Sequence, residues 1–534
     1  MSKEKIFSHK YSLKIFLLIV LVLIFTRLYN LRTNPKWYWD EAHYINMEYN
    51  LANGEVRQGA IKYPFGMEST PRMPLYYFLS GIVMKIFNNK DILYPRFLSF
   101  MCTLGIIFPL FMIGKLLFNE KVALLGLAIF TLHKFPLIFN RWGVEYNADM
   151  FFNVWTLYAL VSYLKYKKVS SLIFSAIFSG LFALSSFYGL PVVLFVILFT
   201  FFYNKKALVY IAPIAIAPFI IFGIWMSMKT QGEFWKSFIT LFSSGMALEN
   251  KKSIFEQISG FIKAFLLFPS YDLIYFLSIV GLFFLKGRQH IITLFLLPIG
   301  MIIIKRQGLD TRTSYNSVLY LPILHLSIAS LLFIFWERVK NCIKKYCGGL
   351  IHQTQDIEFD KSNRYKLMYS CTLIIALLPF IFIGTRDTYW VMTRIPTNFD
   401  TIGAIQDYDD TMDIVDFINL NTNIDKDVVI APELISWLID CKTVNLYQVL
   451  LSLGYETLWH NRIPDSRWAF KIDYKEAKFL ILDYTNRSFT LYQENMDKFI
   501  AIFKKEKWEL ILQQGEYFVY LNSRFNGTAI RYIE

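Results

Sequence analysis

The chain has 534 residues, 55% of them hydrophobic and 18% aromatic, and its mean hydropathy is +0.38. So much apolar sequence excludes an ordinary soluble globular protein. Many separate apolar runs approach the ~20 residues that a helix needs to cross a bilayer. The composition therefore predicts a polytopic α-helical membrane protein.

The formal net charge is +14, which in a soluble protein would suggest a nucleic-acid partner. Here the basic residues cluster in short loops between apolar runs, as the positive-inside rule produces on the cytoplasmic side of a membrane. We therefore interpret most of the charge as topology, and we expect membrane lipids and no nucleic acid among the partners.

The five cysteines form no CxxC pair and show no zinc-ligand spacing. Only Cys441 falls in the C-terminal tail, and a lone cysteine cannot make an internal disulfide. We expect no disulfide framework and predict no cofactor, although two adjacent acids described below leave a divalent cation open.

The N-terminal region combines one clear helix with a long polar stretch. The first apolar run, at 11–29, lacks a small-residue cleavage site, so we interpret it as a retained helix. Within the polar stretch at 32–73, MEYNLANGEV has the alternation of a short amphipathic helix lying on the membrane surface. Residues 71–87 are apolar for only about 14 residues past Pro74, which is short for a span and predicts a re-entrant or interfacial helix.

The remaining apolar runs and the charges between them define a topology. KYKK (165–168), NKK (204–206), KGR (286–288) and the loop opening KNCIKKY (340–346) are basic and should be cytoplasmic, as should the N-terminus. With the first helix, this predicts about eleven spans, provided that 71–87 does not cross. The further runs are 95–117, 122–140, 148–164, 170–187, 189–203, 206–228, 270–285, 290–304, 315–336 and 367–384.

In this topology the external segments are 32–94, 141–147, 229–269, 305–314 and everything after about residue 385. The tail from 390 onward has a charged, mixed composition. TMDIVDFINLNTN predicts an amphipathic helix, KDVVIAPE and AKFLILDY predict strands, SWLID predicts a helix start, and EYFVYLN predicts an edge strand. We expect an external α/β domain at 389–534 after a transmembrane domain at 1–388.

Two external segments carry closely spaced acids. Asp40 and Glu41 lie in NPKWYWDEAHYIN, and Glu145 and Asp149 lie in NRWGVEYNAD. Acids at the mouth of a hydrophobic bundle are costly unless they are solvated or used. They could cap the helices that follow or act on a substrate, and the two roles are compatible. The neighbouring aromatics fit either an interfacial belt or a sugar-binding surface; they are Trp37, Tyr38, Trp39 and Tyr44.

Positive charge on the external side is the opposite of what the positive-inside rule favours, so these residues need another explanation. Arg96 and Arg141 border apolar runs, where an arginine requires an anion or a route to the lipid headgroups. A lipid phosphate would suit them, because the guanidinium is a planar bidentate fork for phosphate oxygens. The external cations are Arg57, Lys62, Arg72, Arg96, Arg141, Lys305, Arg306 and Arg312.

A water-facing acid, a phosphate-binding cation and a hydrophobic groove are the parts needed to take a sugar from a polyprenyl phosphate. The lipid phosphate is the leaving group, and the acid removes a proton from the acceptor as it attacks the anomeric carbon. The cation stabilises charge that grows on the departing phosphate. A nucleotide sugar is not the expected donor, because the sequence has no Gly-rich phosphate loop.

Four stretches resemble the GT-C glycosyltransferases, specifically the protein O-mannosyltransferase and lipid A aminoarabinose transferase group. WDEAHYINMEYNLANGE resembles the acid-containing first external loop of that group, and RMPLYYFLSG resembles its proline–tyrosine segment. Residues 94–130 resemble the arginine-bearing helix pair that follows, and RWGVEYNADMFFNVWTLYALVSY resembles the second external loop. The resemblance covers about residues 10–200, and the order and spacing of the stretches carry it.

The resemblance implies roles for individual residues. Asp40 matches the first-loop acid that is the proposed base, with Glu41 beside it, and Glu145 matches the second-loop acid, with Asp149 as the alternative. Together with the positions of the external cations, this predicts the following donor- and phosphate-binding residues: Arg72, Arg96, Arg141, Arg312, Tyr76 and Tyr188.

The sequence departs from the family pattern at two positions. A lysine common just before the proline of the second stretch is Met73 here, with Arg72 one position earlier. A lysine often found before glycine at the outer end of a mid-bundle helix is Tyr188. The phosphate contacts of this chain therefore need not match those of its relatives.

The resemblance implies a multi-pass enzyme of the cytoplasmic membrane. It would move a sugar from an undecaprenyl or dolichyl monophosphate to a lipid, glycan or protein acceptor at the external face, with inversion at the anomeric carbon. A flippase is one alternative, which predicts ionisable residues within the spans and internal repeats. A ligase or polymerase using lipid diphosphate donors is another, and it would lack the early acidic loop.

Overall fold

The computed structural model describes the greater part of the chain. Several sequence expectations lie outside it, among them the span at 367–384, the aromatics Trp37 and Tyr38, and the cations Lys62, Lys305, Arg306 and Arg312. Apart from a few single residues, the described ranges are 10–32, 39–54, 56–57, 72–87, 91–232, 234–236, 238–239, 273–297, 319–351, 408–453, 468–470, 473–483, 503–515, 517–527 and 529–532.

The N-terminal part of the described chain is helical, because apolar segments in a bilayer must satisfy their backbone hydrogen bonds internally. Four helices are long and apolar enough to cross a membrane by length and composition: Lys10–Leu28, Leu93–Leu117, Lys205–Lys229 and Leu321–Cys342. The helices are α1 (Lys10–Leu28), α2 (Trp39–Asn53), α3 (Pro74–Phe87), α4 (Leu93–Leu117), α5 (Glu120–Leu132), α6 (Lys134–Phe139), α7 (Tyr146–Tyr166), α8 (Val169–Ser185), α9 (Gly189–Tyr203), α10 (Leu208–Lys229), α11 (Leu273–Leu282) and α12 (Leu321–Ile351).

Two predicted segments differ from the structure. The run at 122–140 is two helices, because the backbone becomes extended at His133 and a new helix begins before Pro136. Proline has no amide N–H and fits best in the first turn of a helix, which is where Pro136 lies. The basic segment KNCIKKY is helical and opens no loop, since α12 continues to Ile351.

The helices pack into one bundle with a continuous apolar core. α7 lies between α4 and α8, and α8 also packs against α10. Close approach of α4 and α5 depends on Gly114, where an added Cβ would come within 2.7 Å of the Ala123 backbone. The C-terminal end of α1 and the N-terminal ends of α4 and α7 meet α2 and α3 in this bundle.

The C-terminal part is an α/β unit built on a five-stranded mixed sheet with strand order β2-β1-β3-β5-β4. β1 pairs in parallel with β2 and β3, while β5 pairs antiparallel with β3 and β4. Its elements are α13 (Tyr408–Leu420), β1 (Val428–Ile430), α14 (Glu433–Ser436), β2 (Lys442–Val444), α15 (Leu446–Ser452), β3 (Phe479–Asp483), β4 (Trp508–Gln514) and β5 (Tyr517–Asn522).

The predicted helix and strands of this unit are present, with two corrections. EYFVYLN forms β5, which is internal to the sheet and not an edge strand, because β4 covers its outer side through a hairpin that turns at Gly515. The helix near SWLID is α14, which begins one turn earlier, directly after Pro432, and ends at Ser436. Proline before the first turn favours an early helix start.

Candidate active site

Four of the predicted acids and arginines lie where α2, α3 and the N-terminal turns of α4 and α7 meet: Glu41, Arg72, Arg96 and Glu145. α2 presents Glu41, Tyr44 and Glu48 to the bundle, a spacing of three and four residues that places them on one helical face. α3 presents Tyr76, Tyr77 and Ser80 to the same region. Two long-range ion pairs organise it, one inner and one outer.

The inner pair is Glu41 with Arg96, and both side chains are fully buried. Arg96 binds the carboxylate with two bonds, Nε to Oε1 at 2.8 Å and Nη2 to Oε2 at 2.7 Å. The Gly143 N–H also donates to Glu41 Oε1 at 2.6 Å. The remaining Arg96 nitrogen, Nη1, donates to the Leu31 carbonyl at 2.8 Å. This pair ties α1, α2, α4 and the loop before α7 into one rigid unit.

An arginine at the border of an apolar run requires an anion, and the hydrogen bonds of Arg96 show which anion it has. Its anion is Glu41, so its guanidinium fork is already occupied in this structure. A glycine is needed beside it, because a Cβ on Gly143 would come within 2.8 Å of Pro95 Cβ. The lipid-phosphate contact expected at Arg96 is therefore better sought at another cation.

The outer pair is Glu145 with Arg72. Glu145 directly precedes α7, and its Oε1 lies 3.4 Å from Arg72 Nη1. The Tyr77 hydroxyl donates to the other carboxylate oxygen. The Tyr44 ring lies 5.3 Å from the Arg72 guanidinium carbon and 5.5 Å from the Tyr77 ring. Fifteen per cent of the Arg72 side chain and 9% of the Glu145 side chain are exposed, so this pair, unlike the inner one, meets solvent.

Glu48 is a buried acid that the sequence analysis did not single out. Its Oε2 accepts a hydrogen bond from Ser80 Oγ at 2.6 Å, and its Oε1 has no hydrogen-bond partner among the described residues. Burial raises the pKa of Glu48 well above its ordinary value, the Ser80 hydroxyl opposes this, and the negative charges of Glu41 and Glu145 add to it. Its spacing of seven residues from Glu41 is the signal that could have identified it, since two helical turns bring both acids to one face.

Asp149 lies in the first turn of α7, four residues after Glu145, and is fully buried. Neither of its carboxylate oxygens has a hydrogen-bond partner in the described part of the chain. Within the same described residues, Glu41 and Glu145 each face an arginine, whereas Glu48 and Asp149 form no ion pair. The site therefore holds more carboxyl groups than guanidinium groups.

Arg141 has a structural position. Its Nη1 donates to the Thr26 carbonyl at 2.7 Å and its Nη2 to the Tyr29 carbonyl, so it satisfies carbonyl groups at the C-terminal end of α1. In return, Arg27 of α1 donates to the carbonyls of Thr131 and Phe130 at the end of α5. Positive charge at a helix C-terminus is favourable, because the carbonyl dipoles point outward there. Both groups of Arg141 that could grip a phosphate are thus directed at α1.

The remaining predicted residues occupy different places. The Tyr76 hydroxyl is buried and meets Ser99 Oγ at 3.0 Å and the Pro95 carbonyl at 3.3 Å. Tyr188 precedes α9, is 3% exposed, and donates its backbone N–H to Ser186 Oγ at 3.3 Å. Asp40 lies in the first turn of α2, one residue after its start, and its side chain is outside the described part, as is all of Arg312.

The possibility of a divalent cation was left open by the sequence. Across the residues that the structure describes, no group of three or more His, Cys, Asp or Glu side chains is placed to hold a metal ion. What the described arrangement can do chemically is bind an anion at Arg72, which meets solvent at the edge of the site, and accept a proton at a carboxylate beside it.

Comparison with known proteins agrees with the loop motifs. The family model described as "Dolichyl-phosphate-mannose-protein mannosyltransferase" matches residues 69–225. ArnT from Cupriavidus metallidurans bound to undecaprenyl phosphate is similar in structure, with 12% identity, a TM-score of 0.61, and coverage of 97% of this chain and 99% of that chain. The archaeal oligosaccharyltransferase AglB from Archaeoglobus fulgidus, in complex with an inhibitory peptide and a dolichol-phosphate, shares 12% identity at a TM-score of 0.52, covering 97% of this chain and 75% of that one.

These likenesses establish the fold, since identity near 12% carries no further conclusion. No curated protein matches the chain by sequence. The predicted resemblance is confirmed: the chain resembles GT-C glycosyltransferases of the ArnT and protein mannosyltransferase type.

Proposed function

We propose that this protein is a membrane glycosyltransferase that takes a sugar from a polyprenyl monophosphate and transfers it to an acceptor. The observation that carries the proposal is the outer pair. Arg72 lies at the solvent-facing edge of a buried acidic site, its contact with the Glu145 carboxylate is long at 3.4 Å, and it packs beside Tyr44 of α2, the helix that carries Asp40. An arginine in this position can exchange a carboxylate for a phosphate.

The comparisons support the same donor class. The matching family is described by a dolichyl-phosphate sugar, ArnT was solved with undecaprenyl phosphate, and AglB was solved with dolichol-phosphate. These lipids share a polyprenyl chain and one phosphate. The AglB complex also holds a peptide, so the acceptor class differs among the relatives, and we leave lipid, glycan and protein as acceptors of this chain.

In the proposed reaction, Asp40 removes the proton from the acceptor hydroxyl or amine. The acceptor atom forms a bond to the anomeric carbon of the donor, and the bond from that carbon to the phosphate oxygen breaks. The polyprenyl phosphate leaves with the electron pair, and Arg72 stabilises its growing negative charge. One displacement inverts the anomeric carbon. Glu145 is proposed to hold Arg72, and Asp149 is proposed to add negative charge to the same side of the site.

The proposal includes a topology. About eleven spans, with the N-terminus in the cytoplasm, would place α2, Glu145 and the α/β unit on the external face of the cytoplasmic membrane. The boundary between the transmembrane and soluble domains is proposed at residues 388 and 389. Basic segments between the spans support this sidedness, because they favour the cytoplasmic side.

Substitution of the two adjacent acids tests the proposal. Asp40→Asn keeps the size and helix-terminal preference of the residue but cannot accept a proton, so we expect a folded protein whose turnover falls by about 10² to 10⁴. Glu41→Gln is the matched control, since it removes a charge one residue away that faces Arg96; its principal loss should be in stability.

The measurement is sugar transfer by purified protein in lipid nanodiscs, using a polyprenyl monophosphate hexose and the corresponding diphosphate as donors. The proposal expects transfer from the monophosphate alone. Near-normal transfer by Asp40→Asn would remove Asp40 as the base and redirect the search to Glu145. Transfer from the diphosphate alone would identify a ligase or polymerase instead.

A further inference from the structure

The helix that carries the proposed base, α2, lies between two parts of the protein. Its inner face meets the bundle through Glu41 and Glu48. Its outer face contributes Ala42 and Ile45 to the apolar core of the α/β unit, where they share a cluster with Trp437; all three are at most 1% exposed. α2 is therefore a buried element of the soluble unit as well as of the membrane bundle.

A buried polar contact joins the same two parts. The side-chain amide of Asn46, on α2, donates to Ser436 Oγ at 3.0 Å, and the Ser436 hydroxyl donates back to Asn46 Oδ1 at 3.2 Å. The two residues are 390 positions apart in the chain and at most 5% exposed. A reciprocal bond of this kind fixes both the distance and the orientation of the two helices, because each side chain donates to the other and accepts from it.

The chain that follows α2 is attached to the sheet as well. The Thr443 N–H of β2 donates to the Arg57 carbonyl at 2.9 Å, and the Gly59 N–H donates to the Thr443 carbonyl at 3.0 Å. β2 is a terminal strand of the sheet, so these bonds satisfy backbone groups on its outer edge. The Arg57 N–H donates to Asn50 Oδ1 on α2 at 3.0 Å, so hydrogen bonds connect the helix to the sheet through Arg57.

We infer that the α/β unit is a positioning part of the active site, which fixes α2, and with it Asp40, relative to the outer pair through the contact of Asn46 with Ser436. The inference rests on the proposed function, in which Asp40 is the base. Asn46 lies six residues after Asp40, or about 9 Å along a rigid helix. A tilt of α2 at Asn46 therefore displaces the base, and a misplacement of about 1 Å can cost 10²-fold in rate.

The experiment is a double-mutant cycle with Asn46→Ala, Ser436→Ala and the double variant in the full-length protein. Each single variant should lower kcat about 10-fold while the donor KM stays within about 2-fold, because Arg72 is untouched. The double variant should lose no more than either single variant, since both remove one contact. Ser436→Thr keeps a hydroxyl and should recover most of kcat.

Thr411→Ala is the matched control. It removes a buried helical hydroxyl of the same unit, one that meets Tyr517 at 3.3 Å. It should leave kcat near that of the parent. A loss equal to that of Ser436→Ala would overturn the inference, because the effect would then follow from general destabilisation of the unit. Additive losses in the double variant would overturn it too.

Hydrogen exchange of the α2 amides separates this inference from the proposed function. Exchange should quicken in Asn46→Ala and Ser436→Ala and stay unchanged in Thr411→Ala, whatever the protein catalyses. Unchanged exchange, or quicker exchange with parental kcat, would overturn the positioning role. If α2 loosens in Ser436→Ala while Asp40→Asn retains full activity, the proposed base is wrong and positioning of Asp40 falls with it, although the attachment of α2 stands. Should Ser436→Ala fail to accumulate, Asn46→Ala tests the same contact from the bundle side.

Discussion

The inner and outer ion pairs use the same chemistry in opposite ways. Glu41 and Arg96 are fully buried, joined by two short bonds, and further satisfied by backbone groups on both sides. Glu145 and Arg72 are partly exposed and meet at 3.4 Å. A buried pair can be disrupted only at high cost, whereas a long pair at a water-facing edge exchanges partners readily. Depth and geometry, and not residue type, separate the two pairs.

The largest effect should come from the inner pair. Arg96→Ala leaves Glu41 buried without its counter-charge, which we expect to cost about 3–5 kcal/mol of unfolding free energy. The measurement is the thermal unfolding midpoint and the folded yield in detergent. Removing both charges, with Glu41→Gln and Arg96→Met, should recover part of the loss. A stable Arg96→Ala protein with weakened donor binding would instead return Arg96 to the phosphate site and undo the contrast between the pairs.

Substitution of Glu48 should change stability less than Arg96→Ala does, and it should stabilise the protein instead of destabilising it. Its pKa is raised in the folded state, so the folded protein binds this proton more tightly than the unfolded chain. Its contribution to stability is therefore full below pH of about 4.5 and declines as pH rises through the interval up to the folded pKa. Glu48→Gln remains neutral and should be more stable than the parent at higher pH, by on the order of 1 kcal/mol.

Thermal unfolding midpoints of the parent and Glu48→Gln, measured from pH 4 to 8, check this prediction. The two curves should meet at the acid end and separate as pH rises. Parallel curves would mean that Glu48 is ionised in the folded protein, and the site would then need a cation in addition to its two arginines.

Much of the bundle could be predicted from sequence, because apolar runs are local signals. α1, α4 and α7 begin and end within a few residues of the predicted runs. The break at His133 was missed because hydropathy continues across it, and the position of β5 was missed because the strand that covers it, β4, carries Glu509 and two glutamines and reads as polar. The hydrophobic period and the composition of a segment predict its local structure, but they do not predict which strand lies beside it.

The site divides in the same way. The types and approximate locations of Glu41, Arg96, Glu145 and Arg72 were predicted from the loops, but their partners were not. Arg96 finds its anion 55 residues earlier in the chain, and Arg72 finds its own 73 residues later. Such pairings depend on helix packing, which a single sequence does not encode locally. A lipid phosphate was therefore a reasonable expectation for Arg96 until its carboxylate partner was located.

The smallest effect on stability should come from the outer pair. Arg72→Ala breaks the longer pair, which meets solvent at its edge, so the unfolding free energy should fall by less than in Arg96→Ala. The donor KM should nevertheless rise about 10-fold or more, since a charged hydrogen bond to phosphate contributes about 1.5–3 kcal/mol. Arg72→Lys keeps the charge without the bidentate fork, so its donor KM should lie between those of the parent and Arg72→Ala. Steady-state transfer against donor concentration measures this, and an unchanged KM would return Arg72 to a structural role like that of Arg96.

Arg27 and Arg141 each donate hydrogen bonds to carbonyl groups at the end of a helix that is distant in the chain, and this has a consequence for membrane insertion. The carbonyls that Arg141 satisfies lie 112 to 115 residues earlier in the chain, and those that Arg27 satisfies lie about as far ahead of it. At a synthesis rate of roughly 5–20 residues per second, the first helix waits on the order of ten seconds for these partners. During that interval the Arg27 guanidinium must stay at the lipid headgroups. The first helix therefore leaves the insertion machinery before its final contacts exist. The segment that carries Arg141, once made, completes the end of a helix that was made before it.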